Sequence, residues 1–142
     1  MPRLPWDPDR PLDPDALARR VARATGGPAP RLRAFDVGWD NWVLAGPRGI
    51  LYRFAKRAAE EANLRRETRL LKFLAGKLPL PIPRIELAGK DFQAYRRLRG
   101  RMLVDNALSP RLVRTVSCEL SGFLNALHAL RPGRPGPRLR RR

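Results

Sequence analysis

The sequence has very little of the chemistry that disulfides, metal sites and membrane spans require. Among its 142 residues there is one cysteine, Cys118, and one histidine, His128. A single thiol cannot form an intrachain disulfide, and these two side chains cannot supply the ligand set of a zinc site. No apolar run approaches the roughly 18 residues of a membrane helix, and residues 1–10 lack a signal peptide's apolar core. We therefore expect a soluble, cytoplasmic protein with no membrane partner.

Lysine and acidic residues are scarce beside arginine. The chain has 26 arginines, four lysines and 13 acidic residues, and six of the arginines lie after residue 130. The net charge of +17 favours polyanionic partners. Proteins that stack bases, however, interleave aromatic side chains with basic ones on one surface, whereas the aromatic residues here fall mostly at positions typical of strand interiors. A basic nucleic-acid-associated protein is therefore a disfavoured alternative.

The spacing of apolar residues predicts an α+β fold. In chain order, the predicted elements are a helix between Asp13 and Gly26, strands over 31–37, 42–45 and 50–54, a helix over 57–77, strands over 84–88 and 92–98, and a helix over 110–130. The first three strands have short turns and would form an antiparallel meander. The result is a five-stranded antiparallel sheet with a long helix after the third strand and one helix at each end.

Two charged residues occupy positions at which the pattern requires apolar ones. Arg53 shares a strand face with Leu51 and Ala55. Glu67 lies three residues after Leu64, on the apolar stripe of the long helix. One interpretation is an Arg53–Glu67 ion pair that presents the guanidinium group to a phosphate. The other is that Arg53 extends to solvent at the sheet edge and Glu67 belongs to a solvated helix face; spacing alone leaves both open.

The turn Gly38-Trp39-Asp40-Asn41 joins the first two predicted strands. Its glycine would let the backbone approach a phosphate, and its N–H groups could hold one. The same residue types also form ordinary hairpin turns, so the turn alone does not indicate a ligand. Cys118 lies in an apolar helical pattern, and we expect a buried structural thiol rather than a reactive one.

Four stretches resemble the first half of the aminoglycoside phosphotransferase and phosphotransferase enzyme family, whose fold is kinase-like. In chain order they are FDVGWDNWVLAGPRGILYRFAKR, LRRETRLLKFLAGKLPLPIPRI, FQAYRRLRGRML and LSGFLNALHAL. The resemblance covers about residues 15–130. No single motif is strong, but their order makes the combination specific.

The resemblance implies roles for particular residues. Gly38, Trp39, Asp40 and Asn41 would form the loop over the ATP phosphates. Arg53 would be the phosphate-binding basic residue of the third strand, where lysine is usual, and Glu67 would be its partner. Tyr95 would lie at the back of the adenine pocket, and the backbone of Arg97 and Leu98 would bond the base.

The resemblance also implies ATP and Mg²⁺ as cofactors and a hydroxyl of an aminoglycoside or similar small molecule as phosphoryl acceptor. In this family a histidine-containing catalytic loop and the acidic residues that hold Mg²⁺ follow the helix that ends in LHAL. Here His128 is the only histidine and Glu119 is the last acidic residue. We therefore expect no catalytic residue and no metal ligand in this chain, which would be truncated before the catalytic loop and inactive by itself.

The predicted organisation has four segments. They are an extended proline-rich segment over 1–12, a kinase-like N-terminal lobe over 13–108, a helix over 109–130 that would begin the C-terminal lobe, and a disordered tail of arginine, proline and glycine over 131–142. The apolar face of the last helix predicts self-association or a partner protein. A non-catalytic nucleotide- or protein-binding module is therefore the second functional hypothesis.

Overall fold

The structure is a computed structural model that describes residues 7–100 and 109–130. These residues form two compact units, one holding residues 7–75 and 82–100 and the other holding residues 76–81 and 109–130. The predicted disordered tail, 131–142, lies outside the described residues, as do residues 1–6 of the proline-rich segment. Within the described ranges, no helix combines the length and the apolar character that crossing a membrane requires.

The first unit holds a five-stranded antiparallel sheet. In chain order the helices and strands of the described chain are α1 (Pro14–Thr25), β1 (Arg33–Val37), β2 (Asn41–Ala45), β3 (Ile50–Ala55), α2 (Glu61–Leu74), β4 (Ile85–Ala88), β5 (Phe92–Arg96) and α3 (Pro110–Ala129). The strand order across the sheet is β1-β2-β3-β5-β4. The predicted α+β fold is confirmed, with a helix between the third and fourth strands, and β3 is the central strand.

Helix α1 covers one face of the sheet. It begins after Asp13, whose carboxylate accepts backbone N–H bonds from Asp15 and Ala16, both 3.0 Å long, and it ends at Gly26 in the left-handed region with φ 69°. The core lies between α1 and alternate residues of the strands: Leu17, Ala18, Val21, Leu32, Leu44, Ile50, Tyr52, Phe54, Phe92 and Ala94. Since side chains alternate across a sheet, Arg53 faces away from this core.

Strand β1 departs from the strict alternation that the sequence predicts over 31–37. Ala34 pairs with Leu44, but the next pairing along β2 joins Asp36 to Val43, so β1 holds one extra residue at Phe35. This is a β-bulge, which bends a strand and raises its twist. An inserted residue leaves the apolar pattern almost unchanged, so the sequence alone does not reveal it.

The segment before α1 is attached to the beginning of α2. The backbone N–H groups of Asp9 and Arg10 donate to the Lys56 carbonyl over 3.1 and 3.3 Å. The Arg10 guanidinium bonds Glu61, the first residue of α2, and also reaches Asp91 at 3.4 Å. Glu61 is buried, and the hydrogen bond from Arg10 holds the pKa of its carboxyl group below the ordinary value of 4.5 although burial opposes the shift.

Helix α3, in the second unit, contains no buried residue among those described. It begins at Ser109, whose Oγ accepts the Leu112 N–H over 3.2 Å.

Cys118 is exposed, so the prediction of a buried thiol is wrong. Periodicity identifies an apolar face but does not say what covers it, and here Val113, Leu120 and Leu124 are exposed. Self-association through this face stays a prediction.

The Arg10–Glu61 ion pair predicts how stability depends on pH. A carboxyl group with a folded-state pKa below its unfolded value stabilises the fold above the unfolded pKa, and this contribution is lost as pH falls through the folded pKa. We expect Glu61→Gln to lower the free energy of unfolding at neutral pH, by about 1–3 kcal/mol, because Arg10 loses its charged partner on α2 and keeps only the longer contact with Asp91. The difference from wild type should shrink as pH falls below the ordinary glutamate pKa of 4.5, as measured by urea unfolding across the pH range. Glu119→Gln, at an exposed position of α3, is the matched control; a Glu61→Gln deficit that is constant with pH would contradict the assignment.

Candidate functional site

The face of the sheet opposite α1 carries three rows of paired residues across β2, β3 and β5. Directly paired residues of antiparallel strands lie on the same face. The rows are Ala45–Leu51–Tyr95, Val43–Arg53–Gln93 and Asn41–Ala55. An apolar row with one phenol therefore lies beside a row that contains a single charge, Arg53.

Arg53 forms an ion pair with Glu67 of α2, through Nη1 and Oε1. The Arg53 side chain keeps 23% of its accessible surface and the Glu67 side chain keeps 37%, so both are partly buried. The predicted ion pair is therefore confirmed, and the alternative in which the two charges extend separately to solvent is wrong. Binding of phosphate by Arg53 stays a prediction.

A buried hydrogen bond beside the ion pair holds α2 against the sheet. The Thr68 hydroxyl lies 2.6 Å from Oε1 of Gln93, which is the β5 neighbour of Arg53 and is fully buried. Thr68 directly follows Glu67, so this contact fixes the rotation of α2 at the turn that carries the carboxylate. Neither residue was predicted from the sequence; the available signal was a polar glutamine between two apolar residues, Phe92 and Ala94.

Tyr95 contacts the same ion pair. Burial raises the pKa of its phenol above 10.0, the positive charge of Arg53 lowers it, the charge of Glu67 raises it, and a hydrogen bond with Arg53 lowers it. Three of the predicted site residues, Arg53, Glu67 and Tyr95, therefore meet on one face of the sheet.

The turn between β1 and β2 lies near the Ala55 end of β3. Its backbone is anchored there, because the Lys56 N–H donates to the Asp40 carbonyl over 3.0 Å and the Arg57 guanidinium bonds the Asp40 carboxylate. Trp39 is 85% exposed. Asn41 belongs to β2 rather than to the turn, and its Oδ1 is buried without a hydrogen-bond partner among the described residues.

The segment predicted to bond a base lies near the other end of β3. Strand β5 ends at Arg96, and the Arg97 N–H donates to the Gly49 carbonyl over 2.9 Å, which extends the ladder by one bond. The Arg97 N–H is thus already used, which leaves the Arg97 carbonyl and the Leu98 N–H for a ligand. The Arg97 guanidinium carbon lies 4.8 Å from the centre of the Phe35 ring, in a cation–π contact.

These positions define an elongated site along β3. From Ile50 to Ala55 the strand rises by roughly 16 Å. The Arg97–Leu98 segment is at one end, the apolar row comes next, Arg53 follows, and the Gly38–Asp40 turn is at the far end. Such an arrangement fits a ligand with a flat apolar group at one end and an anionic group at the other.

A metal site is a separate question. In the parts of the chain that the structure describes, no three His, Cys, Asp or Glu side chains lie close enough together to hold a metal ion.

The fold is similar to solved aminoglycoside and macrolide phosphotransferases, which have a kinase-like fold. The GDP complex of wild-type aminoglycoside 2'-phosphotransferase-IIIa matches with a TM-score of 0.71 and 19% identity, over 82% of this chain and 42% of that chain. The streptomycin–ATP–APH(2")-IIa ternary complex matches at 0.68 and 19%, over 87% and 42%. The apoenzyme of macrolide 2'-phosphotransferase MphH from Brachybacterium faecium matches at 0.62 and 24%, over 82% and 43%. The chain therefore spans less than half the length of these relatives, and the low identities support the fold alone.

The amino-acid sequence assigns the chain to a family. The model of the phosphotransferase enzyme family matches residues 31–142, and the chain belongs to this family. The match continues past Leu130, where the resemblance was expected to end, and includes the arginine-rich segment. No curated protein matches the chain by sequence.

The contact of Tyr95 with the ion pair predicts two shifts of opposite sign. Arg53→Ala should raise the pKa of Tyr95, because a positive charge and a hydrogen bond are lost, and Glu67→Gln should lower it, because a negative charge is lost. Ultraviolet titration of tyrosinate measures both in a Tyr52→Phe background, since the chain has two tyrosines. Arg23→Ala, an exposed position of α1, is the control; shifts of equal sign in the two site variants would refute the geometry.

Proposed function

We propose that the first compact unit binds ATP and is the nucleotide-binding lobe of a small-molecule kinase. The observation that carries this proposal is the Arg53–Glu67 ion pair, a half-buried charge pair beside an apolar row and between two backbone segments that suit the ends of a nucleotide. Membership in the phosphotransferase enzyme family supports the same class of activity.

The base would occupy the end of the site near Arg97. Ala45, Leu51 and Tyr95 offer it a largely apolar surface, which favours burial of a flat aromatic ring. Beyond the last ladder bond, the Arg97 carbonyl can accept one hydrogen bond and the Leu98 N–H can donate another. A purine with an adjacent donor and acceptor on its edge suits this pair.

The phosphates would extend toward the Gly38–Asp40 turn. Arg53 is held by Glu67, so its guanidinium does not have to be ordered when a phosphate binds, and the freedom lost on binding is small. The turn N–H groups around Gly38 would complete the contact. Asp40 is neutralised by Arg57, which reduces its repulsion of an anionic ligand.

The reaction would be transfer of the γ-phosphoryl group of ATP to a hydroxyl of an aminoglycoside or related small molecule. Structures of relatives contain kanamycin with GDP and streptomycin with ATP. In such reactions Mg²⁺ neutralises charge on the phosphates, but the described residues offer no cluster that could hold it. The 142 residues contain no carboxylate after Glu119, so we propose that this chain alone does not complete the transfer.

The proposal predicts weak ATP binding that depends on Arg53. We expect a dissociation constant on the order of 1 mM for the chain alone, and a loss of about tenfold or more in Arg53→Ala, because a charge-assisted hydrogen bond to phosphate is removed. Saturation-transfer NMR with ATP measures both values. Adenosine should bind both proteins equally, since it has no phosphate.

Arg23→Ala is the matched control for that experiment. It removes the same charge from the exposed surface of α1, on the opposite side of the sheet, and should leave ATP affinity within about twofold once salt is fixed. Equal ATP affinity in wild type and Arg53→Ala would reject the phosphate role of Arg53. Equal loss in both arginine variants would indicate non-specific attraction by net charge.

The chain alone should also fail to transfer phosphate. With ATP, Mg²⁺ and kanamycin, we expect ADP formation no faster than in a protein-free blank, because the described residues provide no carboxylate cluster for the metal. A coupled ADP assay checks this. Turnover above the blank that disappears in Arg53→Ala would show that the chain is catalytically complete.

A further inference from the structure

A second cavity lies on the opposite face of the sheet from Arg53. It has a volume of about 370 Å³, within the usual range for small-molecule sites. The end of α1, the residues around 27–31, the turn at Pro47–Arg48 and strands β3 and β4 surround it. None of the residues assigned to nucleotide binding lines it.

The wall of this cavity is mainly apolar. Val21 of α1, Ile50 of β3 and Leu87 of β4 contribute side chains to it. Pro28, Pro30 and Pro47 form part of the rim, and proline fixes its own φ angle, so these segments resist the rearrangement that would close the space. The cavity can therefore stay open without a ligand.

One polar group inside the cavity has no protein partner. The Tyr52 side chain lines the cavity, and the residue is 6% exposed, yet no described residue forms a hydrogen bond with its hydroxyl. The hydroxyl oxygen is accessible from the cavity and can donate a hydrogen bond to an acceptor on a ligand. Glu86 is the nearby carboxylate that acts on Tyr52, and it is paired with Arg96 at 3.7 Å.

Two arginines supply positive charge to the same cavity. Arg31 and Arg48 line it, both are exposed, and no described carboxylate lies within 4.0 Å of either guanidinium. Arg48 has φ 57°, the only non-glycine residue of the described chain in the left-handed region. The turn imposes this unfavourable backbone conformation on Arg48, whose carbonyl accepts a hydrogen bond from Arg96 over 3.2 Å.

We propose that this cavity binds a small amphipathic anion, namely a carboxylate with a medium-length aliphatic or single-ring aromatic body. The apolar body would lie against Val21, Ile50 and Leu87, and the carboxylate would pair with Arg31 and Arg48 and accept a hydrogen bond from Tyr52. This site is separate from the proposed nucleotide site, so rejection of either proposal would leave the other unaffected.

Octanoate is the probe, and ¹H–¹⁵N NMR of the whole chain is the measurement. We expect shifts at the amides of Gly27, Ala29, Arg48 and Leu87, and binding of octanol, which has the same chain length without the charge, at least about tenfold weaker. Arg31→Gln with Arg48→Asn should weaken octanoate binding by about tenfold or more, and asparagine tolerates the left-handed conformation at position 48. Tyr52→Phe should weaken it by about three- to tenfold.

Arg33→Gln is the control, because this exposed arginine lies two residues from Arg31 but does not line the cavity. Arg33→Gln should keep octanoate affinity within about twofold of wild type. If net charge alone attracted octanoate, this variant would weaken binding as much as the loss of an arginine in the cavity. Equal affinities for octanoate and octanol would overturn the anion assignment. Shifts confined to α3, or no shifts at the solubility limit of octanoate, would overturn the site.

Discussion

The site depends on a single charged residue at the centre of a sheet. Arg53 lies on the middle strand, and placing a charge there is costly unless a partner of opposite sign meets it. Glu67 supplies that partner only when α2 lies on this face with one particular rotation. The contact between Thr68, which follows Glu67 on α2, and Gln93, which pairs with Arg53 across β3 and β5, sets that rotation through a bond that solvent cannot reach. The ion pair and the buried hydrogen bond therefore restrain the same turn of α2.

The attachment of the N-terminal segment restrains the other end of the same helix. Arg10 bonds Glu61 at the beginning of α2, and the backbone of Asp9 and Arg10 bonds Lys56, which also bonds the turn at Asp40. Lys56, the residue directly after β3, thus connects the turn to the N-terminal segment, and Arg10 connects that segment to α2. These contacts restrain the beginning of α2 without involving Arg53.

The sequence predicted what depends on local periodicity and missed what depends on how elements pack. Arg53 and Glu67 were identifiable because each interrupts an apolar pattern, and a buried charge requires a partner. The extra residue at Phe35 leaves the pattern intact, and the pairing of Asp40 with Arg57 joins residues 17 positions apart, one in the β1–β2 turn and one after the end of β3, so neither has a local signal. Cys118 shows the opposite error, since an apolar pattern was taken as burial although α3 has no buried residue among those described.

Net charge is a poor guide to where an anion binds on this molecule. Near the Ile50 end of β3, Arg48, Arg96, Arg97 and Arg99 line a cleft of about 480 Å³. That end lies roughly 16 Å from the Gly38–Asp40 turn by strand rise, whereas the Debye length at physiological salt is about 8 Å. These arginines can accelerate the approach of an anion, but screening removes most of their influence on where its phosphates come to rest. Under the proposed function, selection of the phosphate position would therefore fall to Arg53, whose charge is partly shielded from salt and whose orientation Glu67 fixes.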